Sequence, residues 1–158
     1  MLQETRPTVL ITGSNGFLGQ AIARGPLGSY RVIGLDLDKP KQPLDGMEAI
    51  GVDLTSDTSV ADALEQVRGM AGDRIASVIH LAAYYDTSGE DNPKYDAVTV
   101  QGTRRLLEAL KAFETGQFVF SSTMLVHAPS PDRGVKIDEE SRSTRLGPIR
   151  SRRPRPRS

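Results

Sequence analysis

The stretch TVLITGSNGFLG, residues 8–19, decides the fold of this 158-residue chain. Its first five residues, Thr8–Thr12, form an apolar run that predicts a buried strand. Residues 17–24 predict a short helix, because Gly25 and Pro26 follow them and end helices. Between strand and helix lies a GxxGxxG pattern made by Gly13, Gly16 and Gly19. A strand, a glycine loop and a helix in this order predict the first unit of a doubly wound parallel sheet.

The glycine pattern predicts a loop that binds phosphate. Gly13 allows a tight turn, Gly16 lets the backbone approach a pyrophosphate, and Gly19 lets helix and strand pack closely. The start of the helix adds N–H groups and the positive end of its dipole. A glycine triplet also occurs in ordinary turns, but the flanking strand and helix favour a dinucleotide site. The predicted loop residues are Gly13, Asn15, Gly16, Phe17, Leu18 and Gly19.

Beyond this unit, β-rich runs alternate with helical patterns, which predicts an α/β fold with a parallel sheet. The predicted strands are Arg31–Asp36, Ala49–Val52, Ser77–Leu81 and Gln117–Ser121, and the predicted helices are Asp57–Arg68 and Pro93–Phe113. In the last helix, the apolar positions predicted to face the sheet are Leu106, Leu107, Leu110 and Phe113. The sequence therefore predicts a Rossmann-type doubly wound sheet of about five strands, within residues 1–141.

Two aspartates follow predicted strands. Asp36 ends the second strand, where a carboxylate accepts both ribose hydroxyls of an adenosine and repels a 2′-phosphate, which favours NAD over NADP. The alternative is a solvated acid, with Asp38 in either role. Asp53, followed by Leu54, has two equal interpretations: a hydrogen-bond acceptor for the adenine amino group, or a cap of the next helix.

Two further strand ends carry candidate site residues. Leu81, Ala82 and Ala83 follow the fourth strand, and the two alanines leave room for a cofactor to pass close to the backbone. His80, in the middle of that apolar run, is interpreted as a structural core residue. At the end of the fifth strand, Ser121–Thr123 either holds a substrate oxygen or bonds the backbone of a turn.

Composition divides the chain at residue 142. Seven of the 20 basic residues are arginines in 142–158, a segment without acids, so residues 1–141 hold 13 basic against 20 acidic residues and carry a net charge of −7. The tail is rich in Arg, Pro and Ser, which predicts disorder. It has no aromatic residue to stack on bases, so nucleic-acid binding is the least favoured function. The absence of cysteine and of long apolar runs predicts a cytoplasmic protein with no thiolate metal site and no membrane partner.

Taken together, these motifs resemble the extended short-chain dehydrogenase/reductase family, the NAD-dependent epimerases and dehydratases. The residues that carry the resemblance are Thr12–Gly19, Asp36, Asp53-Leu54, His80–Ala83, Gly102-Thr103, Leu106–Ala109 and Phe120–Thr123. The resemblance implies a strand order of 3-2-1-4-5 and NAD(P) at the switch point between the first and fourth strands. It also implies a dimer contact that includes the helix of residues 93–113, and a secondary alcohol or nucleotide-sugar as substrate.

The family pattern also implies a catalytic Ser/Thr, which is Thr123 here, and a Tyr-x-x-x-Lys motif on the next helix. No tyrosine follows Thr123, and none of the four tyrosines has a lysine four residues later. Thr99 replaces the usual Asn, and His127 stands where a tyrosine is usual. The sequence therefore predicts a chain that holds NAD without turnover of its own. We interpret the change near residue 142 as a reading-frame change or early stop that left an out-of-frame tail. Leu106, Leu110 and Phe113 are then expected to be exposed and to favour association.

Overall fold

A computed structural model describes residues 6–38, 40, 44–86, 90–123, 126–128, 134 and 136–141. The chain divides into two compact units. The first comprises residues up to Tyr84 together with Pro93–Ser121, and the second comprises Tyr85–Asn92 and residues from Ser122 onward. The predicted tail, 142–158, lies outside the described residues, so the proposed boundary at 141 stays a prediction.

The described residues of the first unit form seven strands, which in chain order are β1 (Thr8–Thr12), β2 (Arg31–Asp36), β3 (Met47–Gly51), β4 (Arg74–Ile75), β5 (Ser77–His80), β6 (Glu114–Thr115) and β7 (Phe118–Phe120). Five of them form a parallel sheet in the order β3-β2-β1-β5-β7. Counting only these five, the order is the expected 3-2-1-4-5, and the Rossmann-type fold is confirmed. The two-residue strands β4 and β6 pair in parallel beside the sheet, a pairing that the sequence analysis did not predict.

Helices cover both faces of the sheet, because successive side chains of β1 point to opposite faces and both sets are apolar. Val9 and Ile11 pack on one face in a cluster with Ala23 of α1 (Phe17–Ala23). Leu10 points to the other face and joins the larger cluster, which includes Val60 of α2 (Asp57–Ala71) and residues of α3 (Thr103–Leu110). Every residue of β1 is buried, as a strand covered on both faces requires.

The end of α2 and the start of β3 differ from the sequence prediction by three and two residues, and a glycine accounts for each. The other predicted strand ends and the end of α1 differ by at most one residue. α2 ends at Ala71 and not at Arg68, because Gly72, with φ +75°, closes the helix by donating its N–H to the carbonyl of Arg68. β3 begins at Met47 and not at Ala49, directly after Gly46, whose φ is +84°. Both positive φ angles favour glycine.

The helix predicted over Pro93–Phe113 is divided. Tyr95–Gly102 is π-helical, and α3 follows and ends at Leu110, where the N–H of Phe113 bonds the Leu110 carbonyl. The hydroxyl of Thr103 bonds the carbonyl of Thr99, a side-chain bond of the kind that distorts helices.

Burial of α3 corrects two predictions. Leu107, expected to face the sheet, is 42% exposed, so it lies on the outer side of the helix. Leu106, Leu110 and Phe113, expected to be exposed, are buried in the core cluster that also contains α2 residues. The expected apolar surface at these three residues is therefore absent, because the sheet and α2 already cover them.

In the second unit, residues 138–141 form a hydrogen-bonded turn. The carboxylate of Asp138 accepts hydrogen bonds from the Ser141 hydroxyl and the Glu140 N–H, and these bonds lower the pKa of Asp138. His127 Nδ1 donates to the Ser141 carbonyl at 3.2 Å. In the part of the chain that the structure describes, no helix combines the length and apolar character needed to cross a membrane.

Candidate functional site

A cleft of about 700 Å³ lies at the carboxyl ends of β1, β2, β3 and β5, all within the first unit. Open parallel sheets bind ligands at this edge, where the strand order reverses. The order β3-β2-β1-β5 reverses between β1 and β5, so the cleft lies at the switch point. It is lined by Gly13, Asn15, Gly16, Leu35, Asp36, Leu37, Val52, Asp53, Leu54, Thr55, Leu81, Ala82, Ala83, Tyr84, Lys94 and Val98.

The glycine loop borders this cleft, and two of its glycines lie in close contact with neighbouring backbone. Gly13 has φ +70°, and a Cβ at this residue would lie 2.9 Å from the backbone nitrogen of Ala82. Gly19 is buried where α1 meets the loop, and a Cβ there would overlap the carbonyl of Gly13 and the backbone of Ser14. Side chains at either position would force the loop away from its neighbours. Both contacts agree with the sequence reasoning for these glycines.

The carboxylate of Asp36 holds the loop to the end of β2. Its Oδ2 accepts from the Asn15 N–H and its Oδ1 from the Leu37 N–H, both at 2.8 Å. The Asn15 side-chain amide donates to the carbonyl of Asp38. The Oδ1 of Asn15 is buried and has no hydrogen-bond partner among the described residues. A buried acceptor in the lining of a cleft indicates a place for a ligand donor.

Asp53 begins the turn between β3 and α2. Its Oδ1 accepts from both the hydroxyl and the N–H of Thr55, at 2.7 and 2.8 Å, and these two bonds lower the pKa of the Asp53 carboxyl. The residue that caps α2 is Ser56, whose side chain accepts the N–H of Ser59. The cap interpretation of Asp53 is therefore wrong. Its carboxylate is instead an acceptor in the lining of the cleft, next to Leu54.

The opposite wall is the segment Leu81–Tyr84, directly after β5. Ala82 and Ala83 contribute small side chains to the lining, and Tyr84 contributes a large one. The Tyr84 ring packs edge-on against Tyr95, with the ring centroids 5.0 Å apart. The ammonium of Lys94 lies 5.6 Å from the centroid of the Tyr84 ring, within range of a cation–π interaction. Lys94 brings a positive charge to a lining whose acids are Asp36 and Asp53.

Most of the predicted cofactor residues converge on this cleft. Nine of them line it, namely Gly13, Asn15, Gly16, Asp36, Asp53, Leu54, Leu81, Ala82 and Ala83. Phe17 and Leu18, at the start of α1, are 89% and 55% exposed and do not line it, and Gly19 is buried behind the loop. Thr123 belongs to the second unit. Its catalytic role stays a prediction.

Sequence reasoning missed Tyr84 and Lys94. Tyr84 extends the segment after β5, so the rule that ligands bind at the carboxyl ends of parallel strands was the available signal for it. Lys94 follows Asn92-Pro93 and directly precedes the π-helical segment Tyr95–Gly102. Its position in the cleft lining depends on how that segment packs against the sheet, which no local sequence pattern indicates. Among the described residues, no three His, Asp or Glu side chains converge as metal ligands.

A second cavity, of about 820 Å³, lies at the amino ends of the strands. Its lining includes Arg6, Arg31 and Arg74, and each guanidinium already has a partner: the carbonyl of Leu27, the carboxylate of Glu48 and the carboxylate of Glu114, respectively. The rest of the lining comes from the start of β1, the end of α2, and the segments of β4 and β6. This cavity therefore lies at the opposite edge of the sheet from the carboxyl ends of the strands, where parallel sheets bind their ligands.

Comparison with known proteins places the chain in a family. The family model described as "NAD dependent epimerase/dehydratase family" matches residues 9–154. The chain therefore belongs to this family, the extended short-chain dehydrogenases/reductases, and has its oxidoreductase fold. The match continues past residue 142, where the composition changes.

Three similar proteins illustrate the relationship. Human (Homo sapiens) 3 beta-hydroxysteroid dehydrogenase type 7 is 34% identical over 139 residues, which is 81% of this chain and 36% of that protein. The Thermus thermophilus UDP-glucose 4-epimerase complex with NAD superposes with a TM-score of 0.72 at 27% identity, covering 87% of this chain and 44% of that one. A short-chain dehydrogenase/reductase superfamily protein from Agrobacterium tumefaciens with bound NAD gives 0.68 at 28%, covering 89% and 40%. The chain thus spans 36 to 44% of the length of these relatives.

Proposed function

We propose that the chain binds NAD in the cleft at the carboxyl edge of the sheet, with Asp36 as the acceptor for the adenosine ribose. The observation that carries the proposal is the position of this carboxylate, at the end of β2 and bonded to the glycine loop through the Asn15 N–H. An ionised carboxylate has about four acceptor sites. Asn15 and Leu37 use two of them, which leaves two for the ribose hydroxyls.

The residues of the cleft fit a dinucleotide in other respects. A Cβ on Gly13 would lie 2.9 Å from the Ala82 nitrogen, so glycine keeps the loop close to the wall at this residue, and a Cβ on Gly16 would lie 3.3 Å from the Gly13 carbonyl oxygen. The backbone at the start of α1, at Phe17 and Leu18, is proposed to meet the pyrophosphate. The buried Oδ1 of Asn15 offers an acceptor, and Leu54 and Ala82 offer apolar surface for the adenine.

We further propose a preference for NAD over NADP. A 2′-phosphate would bring about two negative charges against Asp36, and close like charges are costly in a partly desolvated cleft. Asp53, also in the lining, adds a second negative charge. Lys94 is the cation of the lining, and it lies against Tyr84 after β5 and not beside β2. The charge distribution therefore disfavours a phosphate at the β2 end.

The reaction class follows from the family. Bound NAD supplies a hydride acceptor for the carbon of an alcohol. The names of two relatives, a hydroxysteroid dehydrogenase and a UDP-glucose epimerase, describe substrates with secondary alcohols. We propose a secondary alcohol, sugar-like or otherwise, as the substrate class of the whole protein, with the hydroxyl of Thr123 as its hydrogen-bond partner.

For the 158-residue chain itself, we propose NAD binding without turnover. The family pairs its Ser/Thr with a tyrosine and a lysine that move the proton, and no such pair follows Thr123. A positioned general acid or base contributes about 10²–10⁴-fold to rate, so its loss leaves negligible oxidation of alcohols. In this form the chain acts as a dinucleotide-binding module.

Isothermal titration of the purified chain tests the proposal. The wild-type chain should bind NAD saturably and NADP at least about tenfold more weakly. Asp36→Ala should weaken NAD binding and reduce the difference in affinity between NAD and NADP. Asp62→Ala, an exposed acid on α2, serves as the matched control and should bind NAD as the wild type does. A folded wild-type chain that shows no saturable NAD binding, in the titration and in a parallel measurement of thermal stability with NAD, would overturn the proposal.

A further inference from the structure

The imidazole of His80 is buried at the end of β5 and bonded at both nitrogens. It is 1% exposed, and its ring centroid lies 5.8 Å from that of Phe118 and 5.9 Å from that of Phe120. Its Nδ1 is 2.6 Å from Oγ1 of Thr12, and its Nε2 is 2.9 Å from Oγ1 of Thr103. Burial lowers the pKa of His80 to about 4, so the ring is neutral at neutral pH.

The hydrogen bonds of the two threonines fix the tautomer of this ring. The Thr103 hydroxyl donates its one proton to the carbonyl of Thr99, because a carbonyl only accepts. Oγ1 of Thr103 must therefore accept from His80, which places the ring proton on Nε2. Nδ1 is then an acceptor, and it receives the hydroxyl proton of Thr12.

Thr12 and Thr103 are also connected by hydrogen bonds to the segment Leu81–Tyr84, which forms one wall of the cleft. Oγ1 of Thr12 accepts the N–H groups of Leu81 and Ala82, both at 3.2 Å. At the other end of the wall, Oγ1 of Thr99 accepts the N–H of Tyr84 at 3.0 Å. The segment Leu81–Tyr84 is thus held at both ends by hydroxyls, and His80 joins the two anchors through Thr12 and Thr103.

We propose that His80 is a positioning residue for dinucleotide binding: as the Nε2–H tautomer, it fixes the wall Leu81–Tyr84 between β1 and the π-helical segment. The backbone of Ala82 already lies so close to Gly13 that a Cβ on the glycine would reach it at 2.9 Å. A small displacement of the wall therefore changes the width of the cleft beside the glycine loop. This inference rests on the proposed binding of NAD in that cleft.

The test combines three threonine variants. Thr103→Val removes the acceptor of the His80 Nε2–H, and Thr103→Ser keeps it. Thr115→Val is the matched control, because the Thr115 hydroxyl is buried without a partner among the described residues and belongs to β6, outside the cleft lining. NAD affinity is measured by titration, the tautomer by the nitrogen chemical shifts of the imidazole, and the wall by the amide signals of Leu81–Tyr84.

We expect the wild-type ring to carry its proton on Nε2. Thr103→Val should weaken NAD binding about tenfold, lose the Nε2–H signature and displace the wall amides, while Thr103→Ser restores all three and Thr115→Val leaves them unchanged. A wild-type ring protonated on Nδ1, or a folded Thr103→Val chain with wild-type NAD affinity, would overturn the proposal. If the wild type binds no NAD, the proposed function fails by itself. The wall amides then decide the role of His80, because displacement in Thr103→Val with recovery in Thr103→Ser supports it and unchanged signals overturn it.

Discussion

The backbone N–H of Asn15 donates a hydrogen bond of 2.8 Å to Oδ2 of Asp36, so the glycine loop after β1 is tied to the end of β2 by one carboxylate. The other oxygen of that carboxylate holds the N–H of Leu37. Asp36 therefore shapes the cleft before any ligand binds. Its role in fixing the loop is separable from the proposed role in holding a ribose.

Asp36→Asn tests the first of these roles. A carboxamide is neutral and has one oxygen, so one of the Asn15 and Leu37 N–H groups loses its acceptor and the other keeps only an uncharged one. A hydrogen bond to a charged group typically contributes about 1.5–3 kcal/mol. We expect exchange of at least one of these two amide protons to accelerate roughly tenfold or more, as measured by hydrogen exchange without ligand. Asp62→Asn is the control. Unchanged exchange at both amides would show that the carboxylate does not hold the loop.

Gly19→Ala should destabilise the protein. A methyl group at this residue would overlap the Gly13 carbonyl and the Ser14 backbone, neither of which can rotate away, and overpacking of this kind costs about 1–3 kcal/mol or more. Gly69→Ala is the matched control, because Gly69 lies within α2 with open space around its Cβ position, so alanine there should stabilise by up to about 1 kcal/mol. Urea denaturation gives both values. Equal stability of the two variants would contradict the packing described for the loop.

The sheet and its order were predictable because periodicity and glycine spacing are local signals. Thr8–Thr12 is buried at every position, and Arg31–Asp36 has the bounds that its β-rich run predicts. The end of α2 was not predictable from apolar spacing, since Gly69 and Gly72 are both plausible helix ends. Gly72 ends the helix because it, and not Gly69, adopts a positive φ.

A pair of adjacent leucines tests the corrected orientation of α3. Leu106 is buried in the main core and Leu107 is 42% exposed. Leu106→Ala should lower the free energy of unfolding by about 2–5 kcal/mol, through lost burial and the cavity left behind. Leu107→Ala should cost about 1 kcal/mol or less. The two midpoints of chemical denaturation provide the comparison, and a larger loss at Leu107 would restore the orientation that the sequence predicted.

The buried His80 predicts a loss of stability in mild acid. Its pKa in the folded chain is about 4, below the ordinary value of 6.5, so between these values the unfolded chain binds a proton that the folded chain does not. Its contribution is fully present above pH 6.5 and is lost as pH falls toward 4, with a total on the order of 3 kcal/mol. The measurement is the unfolding free energy at several pH values, for the wild type and for His80→Gln.

The difference in unfolding free energy between the wild type and His80→Gln reports the titration of His80, because the other groups titrate in both proteins. Asp53, whose pKa is lowered, loses its contribution only at still lower pH. We expect the wild type to lose more stability than His80→Gln between pH 6.5 and 4.5. Parallel curves over that interval would show that the ring is not held neutral in the folded chain.

The candidate site was predictable where it depends on strand ends and was not where it depends on distant partners. The glycine loop, Asp36 and the segment after β5 follow from their places in the strand–loop–helix pattern. Thr12 lies 68 residues from His80 in sequence, and Thr103 lies 23 residues from it. Only the parallel pairing of β1 with β5 and the π-helical turns bring the two hydroxyls to one imidazole. No local pattern contains that information.

The most direct test of the central claim is a titration of the isotope-labelled chain with NAD, followed by amide chemical shifts. The account predicts saturable shifts at residues of the cleft, Asn15, Gly16, Leu37 and Ala82, with no comparable shifts at Thr115 and Gly116, which line the cavity at the amino edge. Shifts confined to the amino edge, or no saturable shift in a folded chain, would contradict it.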